Sequence, residues 1–410
     1  MMKRIIEFMV LAAVIVLPAG CKKDDNNDSK TQEKEVESIE LSQEAKSMVP
    51  KVNASGWTLF GGLVEGEHNI VISPLSLEIA LSMLASGSAG NTANELYSYL
   101  GIENTGSFNG LFRQLVTLAP KRDNKTKLAI SNAAVCKDNY PFKEAYLNAL
   151  KTDFDATICQ MPFSPSDKVV SWVNNWCKDA TNGMIPKLLD NIREDDVLIL
   201  LNALYFKGIW KDKFDKESTA AAPFTMESGT KIQVPTMRDT KEDYSYAKNE
   251  IFSTVRLPYG NGAFYLDVLL PEKGKKVSDV IAWLKANGTT GNLKYQKADV
   301  DISLPKFNIS FLKNGINKIL AANGLPISMG SNPDYSGITD NSVVVSDIVQ
   351  AVEFKLDENG TEAAAATAVI VGEKAAEPPV EFRADHPFVF YISESSTGAI
   401  FFSGAYFGAE

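Results

Sequence analysis

Asp357-Glu-Asn-Gly-Thr-Glu-Ala-Ala-Ala-Ala-Thr-Ala-Val-Ile-Val371 has a divided conformational preference about forty residues before the C-terminus. It begins acidic, turns at Gly360, and continues through small and β-branched side chains with one charge, Glu362. Ala363, Ala364, Ala365 and Ala366 favour helix, whereas Thr367, Val369, Ile370 and Val371 favour strand. Taken as a strand from Thr361, with alternate side chains on opposite faces, one face carries Thr361, Ala363, Ala365, Thr367, Val369 and Val371. All are small and uncharged, so that face can slide between two existing strands without steric cost. Read by itself, the window also fits an Ala-rich surface helix with Thr361 as its N-cap.

Working outward, the N-terminus reads as a processing signal over residues 1–20. Lys3 and Arg4 precede an apolar run, Phe8 to Leu17, too short to span a bilayer as a mature helix. Leu17-Pro-Ala-Gly-Cys21 resembles a bacterial lipoprotein cleavage box, which implies that Cys21 is lipidated and becomes the new N-terminus. Pro18 and Glu7 depart from that pattern, and a secretory peptide cut nearby without lipidation is the alternative. Residues 21–45 are polar and charged, with too little apolar surface to fold, and read as a flexible tether. The acidic run after Cys21 resembles that of surface-exported bacterial lipoproteins, so the expected location is the cell surface or outer membrane, held by lipid. Secreted or periplasmic placement is the alternative.

Residues 46–410 show no Pro/Gly/Ser linker and no internal repeat, and the chain is 45% hydrophobic, ample for a large core. The net charge of -10 argues against nucleic acid as a partner. Cys136, Cys159 and Cys177 remain once Cys21 is assigned to lipid; they read as buried thiols more than as a disulfide framework. With only His68 and His386, the chain cannot carry an H-E-x-x-H zinc site, and no cysteine pair has zinc-finger spacing. Phosphate-loop, dinucleotide and G-x-S-x-G motifs are also absent. A serine hydrolase using His386 stays open, although Asp-His386-Pro-Phe-Val-Phe reads as the start of a structural strand. No metal or cofactor is implied, and an enzyme is disfavoured.

Several segments together resemble the serpin family from about residue 50 to the end. Asn69-Ile-Val-Ile-Ser73-Pro74-Leu-Ser76 is similar to the serpin segment leading into the central helix, followed by helical periodicity through Ile79, Leu81, Met83 and Leu84. Trp172-Val-Asn with Thr181-Asn-Gly183-Met-Ile185 resembles the helix across the main sheet and its following turn. Leu201-Asn202-Ala-Leu-Tyr205-Phe206-Lys207-Gly208-Ile-Trp210 matches the strand beside the insertion opening. Val234-Pro235-Thr-Met237, Leu257-Pro258-Tyr259, Leu269-Leu270-Pro271 and Phe382-Arg-Ala-Asp-His386-Pro387-Phe388-Val-Phe390 match small-barrel strands and the C-terminal signature.

The resemblance implies an α+β serpin fold: a large central sheet, two smaller sheets, about eight or nine helices and an exposed reactive-centre loop over about 357–380. It implies a monomer that inhibits serine proteases as a suicide substrate, trapping the covalent acyl-enzyme as the cleaved loop inserts into the large sheet. Glu358, Gly360, Thr361, Glu362, Ala363, Ala364, Ala365, Ala366 and Thr367 would form the hinge. Counting at the family's usual loop length places Lys374 before the scissile bond and Ala375 after it, which suits a trypsin-like protease. Val371, Ile370 or Ala375 would instead suit an elastase-like enzyme, and a shifted bond a cysteine protease. Ser73, Ser76, Asn202, Trp210, Lys306 and Gln350 would govern sheet opening. Gln350 stands where many serpins carry a histidine bonded to the asparagine matching Asn202, and Lys306 with Glu358 matches a family ion pair. A non-inhibitory carrier or binding protein is the other reading, although such members usually have a bulky or charged hinge.

Overall fold

The computed structural model describes residues 36–361 and 378–408. The folded part starts earlier than residue 46. Ile39 and Leu41 are buried, and helix α1 (Gln43–Leu63) begins from an N-cap at Ser42, whose side chain accepts from Ala45 N at 3.1 Å. The tether reading of residues 36–45 is therefore corrected: two apolar side chains in a polar stretch suffice to dock it.

Strand β1 (Ile70–Ile72) leads into helix α2 (Pro74–Ala85). Ser73 caps α2, accepting from Ser76 N at 3.3 Å, and Pro74 sits in the first turn, where a missing N–H costs nothing. Every α2 residue except Ala80 is buried, so a mostly apolar helix carries Ser76, Glu78 and Ser82 into the core with it. Each such Leu, Ile or Met stabilises the fold by about 1.5–3 kcal/mol. Helices α3 (Gly90–Leu100) and α4 (Thr105–Leu118), strand β2 (Thr126–Lys137), α5 (Glu144–Phe154), β3 (Thr157–Met161), α6 (Asp167–Ala180) and β4 (Leu198–Ile209) follow.

Next come β5 (Ala220–Thr225), β6 (Lys231–Lys248), β7 (Phe252–Tyr259), β8 (Phe264–Pro271), α7 (Val277–Asn287), β9 (Gln296–Pro305), β10 (Phe307–Lys313) and α8 (Ile316–Ala322). The last strands are β11 (Gln350–Asp357), β12 (Gly360–Thr361), β13 (Val380–Arg383), β14 (Phe388–Glu394) and β15 (Ile400–Tyr406). The described residues thus hold eight α-helices, within the expected range.

The large sheet has six strands in the order β10-β11-β12-β4-β2-β3, parallel between β2 and β3 and antiparallel elsewhere. Its two faces are chemically sorted by the strand period of two. Ile199 and Leu201 of β4, with Ala133 and Val135, pack on Val169, Val173 and Cys177 of α6. Leu204 and Phe206, with Val352, Phe354 and Leu356 of β11, face the main core that contains α2.

The remaining strands run β1-β15-β14-β8-β7-β6-β9-β13, with β5 pairing on β6. The two smaller sheets are joined through β6, which pairs with β9 over Thr236–Tyr246 and then with β7 over Ser245–Lys248. A register shift between Lys241 and Tyr244 interrupts the β9 pairing just before β7 pairing begins at Ser245.

Candidate functional site

The hinge of the quoted stretch sits at one end of the large sheet. Strands β11 and β12 form a hairpin, Leu356 opposite Thr361 and Asp357 opposite Gly360, around the turn Glu358-Asn359. Asp357 Oδ1 accepts from Asn359 N at 2.8 Å, an Asx turn that sets the chain reversal. Trp210 anchors the turn twice, donating from Nε1 to Asp357 O at 2.9 Å and from its backbone N to Asn359 O at 2.8 Å. Glu358 meets Lys306 Nζ at 2.9 Å and Thr219 Oγ1 at 2.9 Å. Burial alone would raise the Glu358 pKa, but the bonds from Lys306, a backbone N–H and Thr219 hold it below the ordinary carboxylate value.

Two glycines permit this packing. Gly360 has φ +140°, and a Cβ there would lie 2.1 Å from Gly208 O. A Cβ on Gly208 would lie 2.6 Å from the Tyr259 ring. Tyr259 therefore slides beneath β4, stacks on Trp210 at 4.4 Å between ring centroids, and bonds Thr361 Oγ1 through its hydroxyl at 2.6 Å.

Beyond this hairpin the large sheet is split. Strand β12 pairs with Gly208 and Ile209 of β4, and among the described residues nothing fills the gap between β4 and β11 farther along. A hollow of about 840 Å³ opens there. Leu198 to Leu204 form one wall, Val349 to Val352 the other, and Ser73, Leu77 and Leu81 of the α2 segment the floor. Among the described residues, the edges of β4 and β11 beyond β12 thus face each other with no strand between them.

Polar side chains also line the slot. Gln350 Nε2 donates to Ser73 O at 2.9 Å, and Ser73 N donates to Gln350 Oε1 at 3.3 Å. The resemblance implies a bond from Gln350 to Asn202, but Gln350 bonds the Ser73 backbone instead, while Asn202 is held by Ser76 and Asn132. Asn202 accepts from Ser76 Oγ and donates to Asn132 Oδ1 at 2.6 Å, and Asn132 donates to Phe154 O at 2.7 Å.

Outside the slot, Cys136 and Cys177 are buried free thiols, pushed up by burial to about 12, whereas Cys159 is half-buried rather than buried. His386 has both ring nitrogens engaged, Nδ1 with Asp385 Oδ1 at 2.8 Å and Nε2 with Pro271 O at 2.9 Å. Neither nitrogen is free to serve as a general base. Among the described residues no helix is long and apolar enough to cross a membrane, and no cluster of three or more His, Cys, Asp or Glu could hold a metal ion.

Cys21, Glu362, Ala363, Ala364, Ala365, Ala366, Thr367, Lys374 and Ala375 lie outside the described residues. Thr219, Asn132, Gly208 and Tyr259 take part in the site although the sequence did not single them out for it. Gly208 and Tyr259 do fall in quoted motif strands, but nothing local says that these strands meet the hinge.

The chain matches the family model described as Serpin (serine protease inhibitor) over residues 50–408. It is 32% identical over 377 residues to Iripin-2 of Ixodes ricinus, covering 88% of this chain and 94% of that protein. It is 32% identical over 351 residues to the leukocyte elastase inhibitor of Homo sapiens, covering 82% and 92% respectively. Its fold is similar to the crystal structure of the thermophilic serpin Tengpin in the native state. That likeness has a TM-score of 0.79 and 27% identity over 92% of this chain and 97% of the other.

Proposed function

The chain belongs to the serpin family, and from that premise we propose that it inhibits serine proteases, with residues 357–380 as bait. In this reading the protease's serine Oγ attacks the Lys374 carbonyl carbon. The bond to Ala375 breaks, the new amine takes up the proton, and Lys374 stays esterified to the protease. The freed strand then enters the slot between β4 and β11 and drags the acyl-enzyme with it before water can release it.

The observation that carries the reading is the split sheet, already primed at one end by the Gly360–Thr361 pair and open over an 840 Å³ hollow. Strands β4 and β11 both run antiparallel to β12, so a strand continued from Thr361 can bond on both sides. Thr361 lies opposite Leu356 and Gly208, on the core side, which would place the small face of the bait segment over α2. Each added backbone bond is worth about 0.5–1.5 kcal/mol net, and burial of the small face adds about 25 cal/mol per Å². For a dozen residues the sum reaches roughly tens of kcal/mol before ordering entropy is subtracted, so the uncut form is kinetically trapped.

Incubation with trypsin tests this. The expected result is a complex that survives boiling in detergent, together with a released C-terminal peptide whose mass starts at Ala375. Complete cleavage of the loop without any complex overturns inhibition and favours a carrier role. Ala363→Glu should convert the inhibitor into a substrate, because it places a charge on the face to be buried. The lipoprotein reading extends the proposal: lipid on Cys21 would hold the inhibitor at a bacterial cell surface. Membrane fractionation of Cys21→Ser against the parent checks it, and equal partition of both would remove the anchor.

A further inference from the structure

Thr361 is buried at 2% relative exposure, and its hydroxyl meets the Tyr259 hydroxyl at 2.6 Å. Tyr259 is itself fully buried, at 0%. Its ring cannot shift freely: it is stacked on Trp210 at 4.4 Å, met edge-on by Phe206 at 5.2 Å, and seated in the space that Gly208 leaves by lacking a Cβ. The phenol oxygen is thus a fixed polar point inside an otherwise apolar region of the core. Among the described residues its hydrogen-bond partner is Thr361.

Such a point is selective for register. Side chains alternate strictly along a strand, so a slip of one residue moves every side chain to the opposite face. With β12 one residue out of place, the phenol would face either Gly360, which has no hydroxyl, or Glu362, which would bring a charge into the core. Both alternatives leave a buried hydroxyl or a buried carboxylate without a proper partner, which is costly. The backbone ladder alone does not make this distinction, because its bonds are the same in either register.

We propose that the Tyr259 hydroxyl is a positioning group that catches Thr361 and sets the register in which the hinge enters the large sheet. The pairing of Thr361 with Leu356 and Gly208 is then held by a side-chain contact as well as by the two short ladders. Its consequence for protease trapping rests on the inhibitory reading above; the catch itself does not.

The test uses the full chain and four variants: Tyr259→Phe, Thr361→Val, Thr361→Ser and the double variant Tyr259→Phe/Thr361→Val. Amide hydrogen exchange is read on the peptide spanning residues 356–361, alongside partition between complex and cleaved product with trypsin. Loss of one net hydrogen bond corresponds to about two- to twelvefold faster exchange of the Gly360 and Thr361 amides in Tyr259→Phe and Thr361→Val. Thr361→Ser, which keeps the hydroxyl, is expected to exchange like the parent. The double variant should be no faster than the faster single one, because both changes remove the same contact. A purely structural role for Tyr259 would not give rescue by serine. Parental exchange in both single variants, or multiplicative effects in the double one, overturns the proposal. If the exchange pattern holds while the parent forms no protease complex, the catch stands and the inhibitory reading falls. If the parent traps trypsin and exchange is unaffected by the variants, the reverse is true.

Discussion

Lys306 Nζ lies 2.9 Å from Glu358 Oε2 at the end of the slot, with the Glu358 side chain 4% exposed and that of Lys306 40% exposed. The pair ties the residue after β9 to the turn between β11 and β12. Because one partner is wet, its worth falls between a surface pair and a buried one.

Glu358→Gln should lower stability by about 1 kcal/mol and shorten the lifetime of the native form before conversion to a heat-stable one. The sign with pH follows from the depressed Glu358 pKa. Stability from this group is present above the ordinary value of about 4.3 and is lost as pH falls through the depressed folded value. Native lifetime measured from pH 3 to 6 should therefore drop on the acid side in the parent and much less in Glu358→Gln. Matching pH profiles would remove the pair from hinge control.

Gly360→Ala should expel the hinge from the sheet. Its φ of +140° is strained for any side chain, and the new Cβ would meet Gly208 O at 2.1 Å. The local cost is about 2 kcal/mol or more. The fluorescence of Trp210, which bonds this turn, reports the displacement, and trypsin should then cleave the loop with little trapping. Unchanged fluorescence and trapping would show that the strand can shift to accommodate the methyl group.

Glu78 sits inside α2 at 2% exposure. Ser55 Oγ faces both Val52 O, at 2.9 Å, and Glu78 Oε1. The hydroxyl's single proton serves one of these acceptors at a time, and Glu78 Oε2 is buried without a hydrogen-bond partner, so little offsets the burial of the carboxyl. Burial raises its pKa well above the ordinary range, with the Ser55 bond opposing. The unfolded chain gives up this proton above about pH 4.3 and the folded one keeps it, so the parent loses stability as pH rises from there toward the folded value. Glu78→Gln keeps an acceptor for Ser55 and should raise the melting temperature at pH 7 but hardly at pH 4. Equal shifts at both values would contradict a neutral acid.

His386→Ala should leave protease trapping intact, since both ring nitrogens are engaged by Asp385 and Pro271 O. Burial lowers the His386 pKa, but the bonds to Asp385 and the Pro271 carbonyl raise it by more, for a net rise. The stabilisation is fully present below about pH 6.5 and is lost as pH rises through the raised folded value. The variant should thus be destabilised more at pH 5.5 than at pH 9, by chemical denaturation. Loss of trapping would restore a functional role for this histidine.

The helix after Ser73-Pro74 and the motif strands were legible because each depends on local periodicity or turn chemistry, whereas the alternating face read for residues 361–371 falls, past Thr361, outside the described residues. Lys306 and Glu358 could be matched by motif. Partners such as Thr219 and Asn132 could not, because their contacts cross 139 and 70 residues of sequence. Gln350 shows the limit well: its type announced a hydrogen bond, but its bond to Ser73 rather than Asn202 depends on how far apart two strands stand.

The family and the core helix could be read from the chain alone, because motif residues, composition and side-chain period are local properties. Only the packed molecule shows that, among the described residues, no strand lies between β4 and β11 beyond Thr361, that Gly208 admits the Tyr259 ring, and that Thr361 faces the core. Those outcomes depend on distances between strands far apart in the chain, and such distances are set only when the whole core packs.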